Sequence, residues 1–465
     1  MVHIAITKGV NLPIAGAPTG GVLPLLGATS SLRQPLPKTV ALSYQAFSKL
    51  RLKLLAKPGD RVTWGQPLAE DKGTPGRYFV APGSGLLREE KRGAKRLLLE
   101  QLIELEPESE EAPFEASPPS LKSCSREELV EYLLHHGAFA HIRQRPFDTL
   151  ADPSKRPRAI FVKALESAPF VPAAELQVEG WEEAFQLGLD ALTKLTEGPV
   201  HLIHRLGTPS SAFLSAKGVE RHTAEGAHPI ANSSVHIHWI DPIIGVDDVL
   251  WTLSALDVVV IGRLLLEGRY HKERVLGLGG PALVEGGAGY YQGRAGMALS
   301  QLVADKLEKG PLRLISGDPL MGHAAADGDH LGFYHTCCCA IPIQQEREFL
   351  HFFRLGGCKY SFSRAYLSGH LDNSHRSYAM TTNQHGEHRA FIDPTLYDQV
   401  MPLPVPTMLL VKALMAEDFD MAGELGLLEV APEDFALPTF VCPSKMEMVQ
   451  IVEEGLQSYA HEMLS

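Results

Sequence analysis

The sequence predicts a multidomain protein that combines α+β and α/β regions. Its 465 residues exceed the size at which one hydrophobic core usually divides. Short apolar runs separated by Pro-Gly turns follow the N-terminus, and strand and helix patterns alternate in the middle of the chain. Hydrophobic residues make up 45% of the chain and charged residues 21%, which is typical of globular proteins. We therefore expect three or four domains.

The N-terminal part predicts an extended arm and then a small barrel. Residues 1–37 are rich in Gly and Pro, which favours an arm over a helix. Residues 57–68 read KPGDRVTWGQPL and residues 81–87 read APGSGLL, so tight turns join short strands. This arrangement resembles the biotinyl/lipoyl carrier barrel over residues 38–112. A carrier's modified lysine usually lies between methionines, and Lys72 has none beside it, so we expect a structural barrel without biotin.

Residues 113–267 predict a Rossmann-like α/β domain. A first helix is expected over 125–135, with Ser125 as its N-cap and Glu128 as the capping-box partner. RAIFVK, at 158–163, is typical of a buried parallel strand. The alternation then continues with a helix and two strands, over residues 181–195, 199–204 and 257–261.

The pattern changes again after residue 267. Residues 268–322 resemble the small β-grasp module called SLBB, because a strand, a short helix and a strand follow one another, at 274–281, 298–309 and 312–322. Residues 323–465 predict a strand pair around 332–344 and then a helical C-terminal region. Its clearest helix covers residues 444–463.

Charge, cysteine content and hydropathy exclude several classes of protein. Asp and Glu outnumber Lys and Arg by 55 to 43, and this acidic balance disfavours binding to nucleic acid. Six cysteines without a C-x-x-C pair, and no signal peptide, favour a reducing cytoplasm. The most apolar run, 249–266, contains Asp257 and Arg263, so we expect no transmembrane helix.

The residues argue against a flavin or NADH site and against an iron–sulfur cluster. A phosphate-binding turn needs glycines after a strand, yet ALESAPF follows RAIFVK, with Glu166 in it. The glycine cluster at 277–280 is interpreted as a β-grasp turn. An iron–sulfur cluster needs four thiolates, whereas the cysteines at 337–339 lie in a predicted strand and Cys442 is isolated. We expect no flavin, iron–sulfur cluster or metal in this chain.

Separated motifs along the whole chain match one family in order and spacing. They are KGVNLPIAGAP (8–18), HIHWIDP (236–242), DVVVIGRL (257–264), RVLGLGGP (274–281), ISGD (315–318), GFYHT (332–336), EREF (346–349), MTTN (380–383) and FVCPSK (440–445). The ordered set resembles the A subunit of the bacterial Na+-translocating NADH:quinone reductase. That family is related to the flavin-binding NADH dehydrogenase subunit of complex I and to a cluster-bearing Rnf protein.

The resemblance implies a peripheral subunit on the cytoplasmic side of the bacterial inner membrane. It would dock on the other five subunits of the complex, chiefly the membrane-embedded B subunit, and handle ubiquinone as substrate. NADH and the flavins would belong to other subunits, so no catalytic residue is expected in this chain. A scaffold that orders the membrane subunits and binds no quinone is the alternative.

Histidines supply the candidate binding residues. His236 and His238 are two positions apart, so in a strand both side chains would face the same way, as two metal ligands do. A histidine can donate a hydrogen bond to a quinone carbonyl. The alternative is a hydrogen-bonded structural cluster at a domain junction. The candidate quinone-binding set is His222, His228, His236, His238 and Asp241.

Overall fold

The computed structural model describes residues 1–24, 38–106, 114, 117–326, 328–345, 349, 353–373 and 375–464. Within these residues the strands form four sheets, of seven, six, four and three strands. Residues 25–37 of the predicted arm, the predicted boundary at 112–113 and residues 346–348 of the EREF motif lie outside the described part.

The first 24 residues add strands to two separate sheets. Strand β1 (His3–Ala5) pairs in parallel with the strand at 220–225, and β2 (Val22–Leu23) pairs in parallel with the strand at 289–294. Because each partner lies more than two hundred residues away in the sequence, the arm connects distant parts of the chain. Its described part is extended, as the Gly and Pro content predicts.

Seven strands form a small barrel of two antiparallel sheets, ordered β3-β9-β8-β5 and β4-β6-β7. They are β3 (Thr39–Ser43), β4 (Leu52–Leu54), β5 (Arg61–Val62), β6 (Pro67–Asp71), β7 (Tyr78–Val80), β8 (Gly85–Arg92) and β9 (Leu98–Leu105). Arg77 attaches the barrel to the next region: it pairs with Asp71 at 3.1 Å and also donates to the Ala151 carbonyl. Lys72 is exposed in the adjacent turn.

A mixed seven-stranded sheet with helices follows. Helix α1 (Arg126–His135) has the predicted capping box, in which Ser125 and Glu128 each accept the other's backbone N–H. The remaining elements are β10 (Arg143–Arg145), β11 (Thr149–Leu150), β12 (Ala159–Ala164), α2 (Ala174–Val178), α3 (Glu182–Leu195), β13 (Val200–Arg205), α4 (Ser211–Leu214), β14 (Glu220–Glu225), α5 (Ser233–Ile240), β15 (Leu250–Ser254) and α6 (Ala255–Glu267).

The sheet order is β1-β14-β13-β12-β15-β10-β11, and β14, β13, β12 and β15 run parallel. RAIFVK therefore forms a buried parallel strand, β12, as predicted. The strand predicted at 257–261 is wrong, because these residues belong to α6. A continuous apolar run fits a buried helix as well as a buried strand. The capping box between Ser254 and Asp257 starts the helix, and β15 is the actual strand before it.

A third sheet has the order β19-β18-β20-β16-β17-β2. Its elements are β16 (Glu273–Gly279), β17 (Gly289–Arg294), α7 (Leu299–Leu302), β18 (Leu312–Ser316), β19 (His323–Ala325) and β20 (Cys337–Pro342). The predicted helix over 298–309 shortens to α7. Of the strand pair predicted around 332–344, a range described in full, only β20 forms, and it lies between β18 and β16. The sheet thus extends beyond residue 322, where the SLBB module was predicted to end.

The interpretation of the glycines at 277–280 as a turn is wrong for Gly277 and Gly279, which lie within strand β16 where it packs on the loop after β12. A side chain at Gly277 would overlap the Phe170 carbonyl, and one at Gly279 would overlap the Phe170 ring. Phe170 itself has a left-handed backbone, with φ of 69°. These glycines therefore have a packing role between two regions of the protein.

The cysteines of β20 alternate between two cores, as a strand requires. Cys337 and Cys339 pack with Ile14 and Phe170, whereas Cys338 packs on the opposite face among Leu276 and its neighbours. Burial raises the pKa of all three thiols, which favours their neutral form. They behave as small core residues.

The C-terminal region is helical, as predicted, and packs on the seven-stranded sheet. Its helices are α8 (Thr395–Asp398), α9 (Thr407–Met415), α10 (Phe419–Glu424), α11 (Ala436–Val441) and α12 (Met448–Leu464). Helix α12 matches the helix predicted at 444–463 but begins four residues later. Among the described helices, none has the length and apolar character that crossing a membrane requires.

Candidate functional site

A cavity of about 570 Å³ lies at the carboxyl ends of β12 and β15. The strand order reverses between these two neighbouring parallel strands, because β13 and β14 follow on one side of β12 and β15 lies on the other. In open α/β sheets, ligands usually bind in the crevice at such a place. All four regions of the protein contribute to the wall. Its apolar part includes Phe47, Leu50, Phe147, Val171, Phe333 and Leu456.

Three ionisable side chains converge on the cavity. Lys163, from β12, lies 3.3 Å from the Glu166 carboxylate, and Glu433 enters from the C-terminal region. Burial alone would lower the pKa of Lys163, but the charges of Glu166 and Glu433 outweigh it and raise that pKa. Burial raises the pKa of Glu433 to about 7, against the opposing effect of Lys163. The cavity therefore holds a permanent cation and a carboxyl group that titrates near neutrality.

A buried polar network adjoins this group. The Arg145 guanidinium, 1% exposed, donates to the Ser234 hydroxyl at 2.7 Å. Asn232 donates to the Asp434 carboxylate at 2.8 Å, and burial raises the pKa of Asp434. Within the described residues, Nη2 of Arg145 has no hydrogen-bond partner. This network joins β10 to α5 and to the C-terminal region.

His141 lines the cavity, but its ring is fully occupied. Nδ1 lies 2.7 Å from the Asp257 carboxylate and Nε2 lies 2.7 Å from the Tyr270 hydroxyl. Since the carboxylate can only accept, Nδ1 carries the ring proton and Tyr270 donates to Nε2. Burial would raise the pKa of Asp257, but hydrogen bonds from His141 and Ser254 lower it overall. His141 therefore has no free donor for a ligand.

Among the predicted quinone-binding residues, only His228 lines this cavity. Its Nδ1 lies 3.0 Å from the Ser167 hydroxyl, in the loop after β12. Burial and the nearby Lys163 lower the pKa of His228 to about 4. The imidazole is therefore neutral at physiological pH.

His236 and His238 do not share a face, and the strand on which that prediction rested is wrong. Both lie in helix α5, where positions two apart point about 200° from each other. His236 is fully buried, and its Nε2 donates to the Ile230 carbonyl at 2.8 Å. His238 is half-buried on the opposite side, with Nδ1 3.0 Å from Glu429. The turn before α5 ends at Asn232, so the helix begins where a strand was expected.

His222 and Asp241 lie in two further environments. His222, in β14, accepts the Val2 amide on Nδ1 at 3.0 Å. Asp241 forms an ion pair with Arg158, whose guanidinium also contacts Asp248 at 2.8 Å. The five predicted residues thus do not surround one space.

Acid pH tests the environment of His236. Burial lowers its pKa from the usual 6.5 to about 3, and Nδ1 has no acceptor within the described residues. The unfolded chain then binds more protons than the folded chain between these values, so stability falls as pH falls below 6.5. At about 1.4 kcal/mol per unit, we expect a loss on the order of 4 kcal/mol by pH 3 from this residue.

The measurement is the urea unfolding midpoint of the wild type and of His236→Gln at pH 7, 6, 5 and 4. The variant should start lower at pH 7 and show a shallower decline. Parallel declines for the two proteins would contradict this assignment. His461→Gln, at an exposed position in α12, is the matched control and should decline in parallel with the wild type.

Sequence reasoning missed Lys163, Glu433 and Arg145 as site residues. Lys163 carried a usable signal, since it is a charged residue at the carboxyl end of a buried strand. Glu433 and Arg145 carried none, because only the folding of distant segments brings them to the cavity. Glu166 was noted solely as unfavourable for a phosphate, and the structure places it beside Lys163.

Family models match the two N-terminal regions. Residues 4–106 match the NqrA N-terminal barrel-sandwich hybrid domain, and residues 124–270 match the NqrA second alpha/beta domain. These ranges contain the seven-stranded barrel and most of the seven-stranded sheet. A solved NAD+-reducing [NiFe]-hydrogenase is similar over 51% of this chain and 53% of its own, at 14% identity and a TM-score of 0.34, which is too low to carry an argument.

Known proteins match the chain over nearly its whole length. The A subunit of the Na(+)-translocating NADH-quinone reductase from Chlamydia caviae is 36% identical over 471 residues, which cover 99% of this chain and 97% of that protein. The corresponding protein from Tolumonas auensis is 35% identical over 455 residues, which cover 97% and 98% of the two chains. With identities above one third along the entire chain, this protein belongs to the NqrA family, the A subunits of the Na(+)-translocating NADH-quinone reductase.

Proposed function

We propose that the chain is a quinone-handling component of a Na+-translocating NADH:quinone reductase, which couples electron transfer from NADH to ubiquinone with Na+ export. The names and full-length similarity of its relatives support this assignment. The chain would lie on the cytoplasmic side of the bacterial inner membrane and bind the other subunits, chiefly the membrane-embedded B subunit. NADH and the flavins would be bound by those subunits.

Two finer features of the fold belong to the same proposal. The parallel order β14-β13-β12-β15 supports a Rossmann-like arrangement for the central region, because the first strand lies beside both the second and the fourth. The mixed pairing of β16, β18 and β20 beside α7 supports an SLBB-type β-grasp module.

The central cavity is the proposed quinone site, and its combination of apolar wall and convergent donors carries the proposal. Its volume of about 570 Å³ lies in the range of small-molecule pockets. A quinone ring needs apolar side chains on its faces and hydrogen-bond donors at its carbonyls. Phe147 and Phe333 supply apolar surface, and Lys163 supplies a cationic donor.

His228 supplies the second donor in this proposal. Ser167 accepts the Ala231 amide at 3.2 Å, and we assign its hydroxyl proton to the hydrogen bond with Nδ1 of His228. With Nδ1 accepting, the proton of the neutral ring resides on Nε2. His228 lines the cavity, so this N–H can donate to a carbonyl oxygen there.

The test is titration of the purified chain with a short-chain ubiquinone, followed by tryptophan fluorescence and heat. We expect saturable binding that His228→Phe weakens by about fivefold, since a neutral hydrogen bond contributes about 1 kcal/mol. His238→Phe is the matched control, because His238 lies outside the cavity wall. An equal loss in both variants, or none in His228→Phe, would contradict the role of His228.

A scaffold without a quinone site is the second candidate function. Large apolar side chains are strongly exposed at Phe349, Phe353, Leu355 and Ile392, and such residues are typical of surfaces that partners cover. Folded wild-type protein without saturable ubiquinone binding would favour this function over quinone handling.

A further inference from the structure

Two strands of the central sheet carry a cluster of ligand-type side chains outside the cavity wall. We propose that His201, Glu220 and His222 bind a divalent transition-metal ion of the Zn2+ class. Within the described residues, this is the one group of three or more His, Cys, Asp or Glu side chains whose ligand atoms lie within 4.8 Å of one another. The inference is independent of the quinone site.

The parallel register of β13 and β14 places the three side chains together. His201 is paired with Glu220, and His222 lies two positions further along β14, on the same face as Glu220. His201 Nδ1 lies 3.0 Å from His222 Nε2, and the Glu220 carboxylate lies 3.6 and 4.0 Å from these nitrogens. Two nitrogens bound to tetrahedral zinc at about 2.0 Å are about 3.3 Å apart, so shifts of a few tenths of an ångström suffice.

The chemistry of the group also suits such an ion. Both histidines are almost fully buried, whereas Glu220 is exposed and gives access from solvent. Burial lowers the pKa of His201, and burial together with His201 lowers the pKa of His222 to about 4. Both rings are therefore neutral at pH 7, so a metal meets little proton competition there. Two imidazoles and a carboxylate are a recurrent zinc ligand set.

The N-terminal strand opposes binding in one respect. Because the Val2 N–H donates to Nδ1 of His222, the proton of that ring lies on Nε2 and donates to His201. A metal at Nε2 requires this proton to move to Nδ1, where it would face the Val2 N–H. Metal binding must therefore separate Val2 from His222, and the attraction of Glu220 for the ion offsets that loss.

The nearby charges are balanced. The carboxylates of Glu220 and Asp241 raise the pKa of His201, whereas the charges of Arg158 and the N-terminal amine lower it. A divalent ion would therefore bind where the surrounding charges are not strongly positive. Glu220 provides the carboxylate nearest to the two histidines.

The experiment uses full-length protein without a polyhistidine tag. Zn2+ is titrated in competition with a chromophoric chelator, and Co2+ is titrated to record the absorption bands of tetrahedral coordination. We expect one ion per chain, affinity lowered at least about tenfold by Glu220→Gln, and loss of binding in His222→Gln. His3→Gln is the matched control, because His3 pairs with the exposed Glu225 on the neighbouring strand and should leave affinity unchanged.

If His222→Gln fails to fold, the Zn2+ affinity of Glu220→Gln tests the proposal instead. Glu220 is exposed, so its replacement leaves the core intact. Circular dichroism verifies the fold of each variant. Unchanged Zn2+ affinity in folded Glu220→Gln overturns the proposal. Absence of stoichiometric Zn2+ binding by the wild type overturns it as well. Affinity lost in His3→Gln and kept in Glu220→Gln would place the ion at the His3–Glu225 pair instead and would also overturn it.

Discussion

Lys163→Met should weaken binding of a short-chain ubiquinone by about 10- to 100-fold, because a hydrogen bond from a charged donor contributes about 1.5 to 3 kcal/mol. Methionine keeps the length and apolar stem of lysine, so the cavity wall stays filled. Without the cation, the already raised pKa of Glu166 and that of Glu433 rise further, which favours the neutral form of both carboxyl groups. The fold should therefore survive the change.

Isothermal titration of folded variants measures this effect. Lys72→Met removes an exposed lysine from a barrel turn and should leave ubiquinone affinity unchanged. Wild-type affinity in Lys163→Met would show that the ammonium does not contact the quinone. Binding at the wild-type level in Lys163→Met together with a loss in His228→Phe would restrict the proposed contact to the histidine.

Arg77→Met should destabilise the protein by about 3 to 5 kcal/mol, because breaking a buried ion pair leaves an uncompensated charge. Arg77 and Asp71 are both buried, at 5% and 3% side-chain exposure, and the guanidinium also donates to Ala151 in the next region. The variant leaves the Asp71 carboxylate and that carbonyl without their cation. The barrel should then detach from the central sheet at lower denaturant concentration.

Urea unfolding followed by tryptophan fluorescence measures the loss. Arg88→Met is the control, since Arg88 pairs with Glu104 on the barrel surface and both side chains are about half exposed. Exposed pairs contribute less than about 1 kcal/mol. A midpoint for Arg77→Met close to that of Arg88→Met would show that the interface is held by apolar packing alone.

The sequence predicted those helices and strands that are determined by residues close to one another in the chain. The capping box at Ser125 and Glu128 gave the start of α1, and the β-branched run RAIFVK gave β12. The strand predicted at 257–261 was wrong, although a capping box marks the start of a helix here too. It is formed by Ser254 and Asp257. Apolar residues on every side of α6 hid its helical period, because that helix is buried almost all around.

The candidate site could be predicted only in part. His228 was selected from the sequence and does line the cavity, but the reason given, a shared strand face for His236 and His238, was wrong. Lys163 and Glu433 are 270 residues apart, and their encounter depends on how the C-terminal region packs on the sheet. No local pattern encodes that packing, so a single sequence leaves the charge pattern of the cavity undetermined.

The pairing of β1 with β14 has a consequence for biosynthesis. Residues 3–5 leave the ribosome long before their register partners, 223–225, which are translated more than two hundred residues later. Until then residues 3–5 lack their strand partner, and after that β14 remains an open edge until residues 3–5 pair with it. Closure of so long a loop is entropically costly and late. A fusion partner at the N-terminus should therefore slow maturation more than one at the C-terminus.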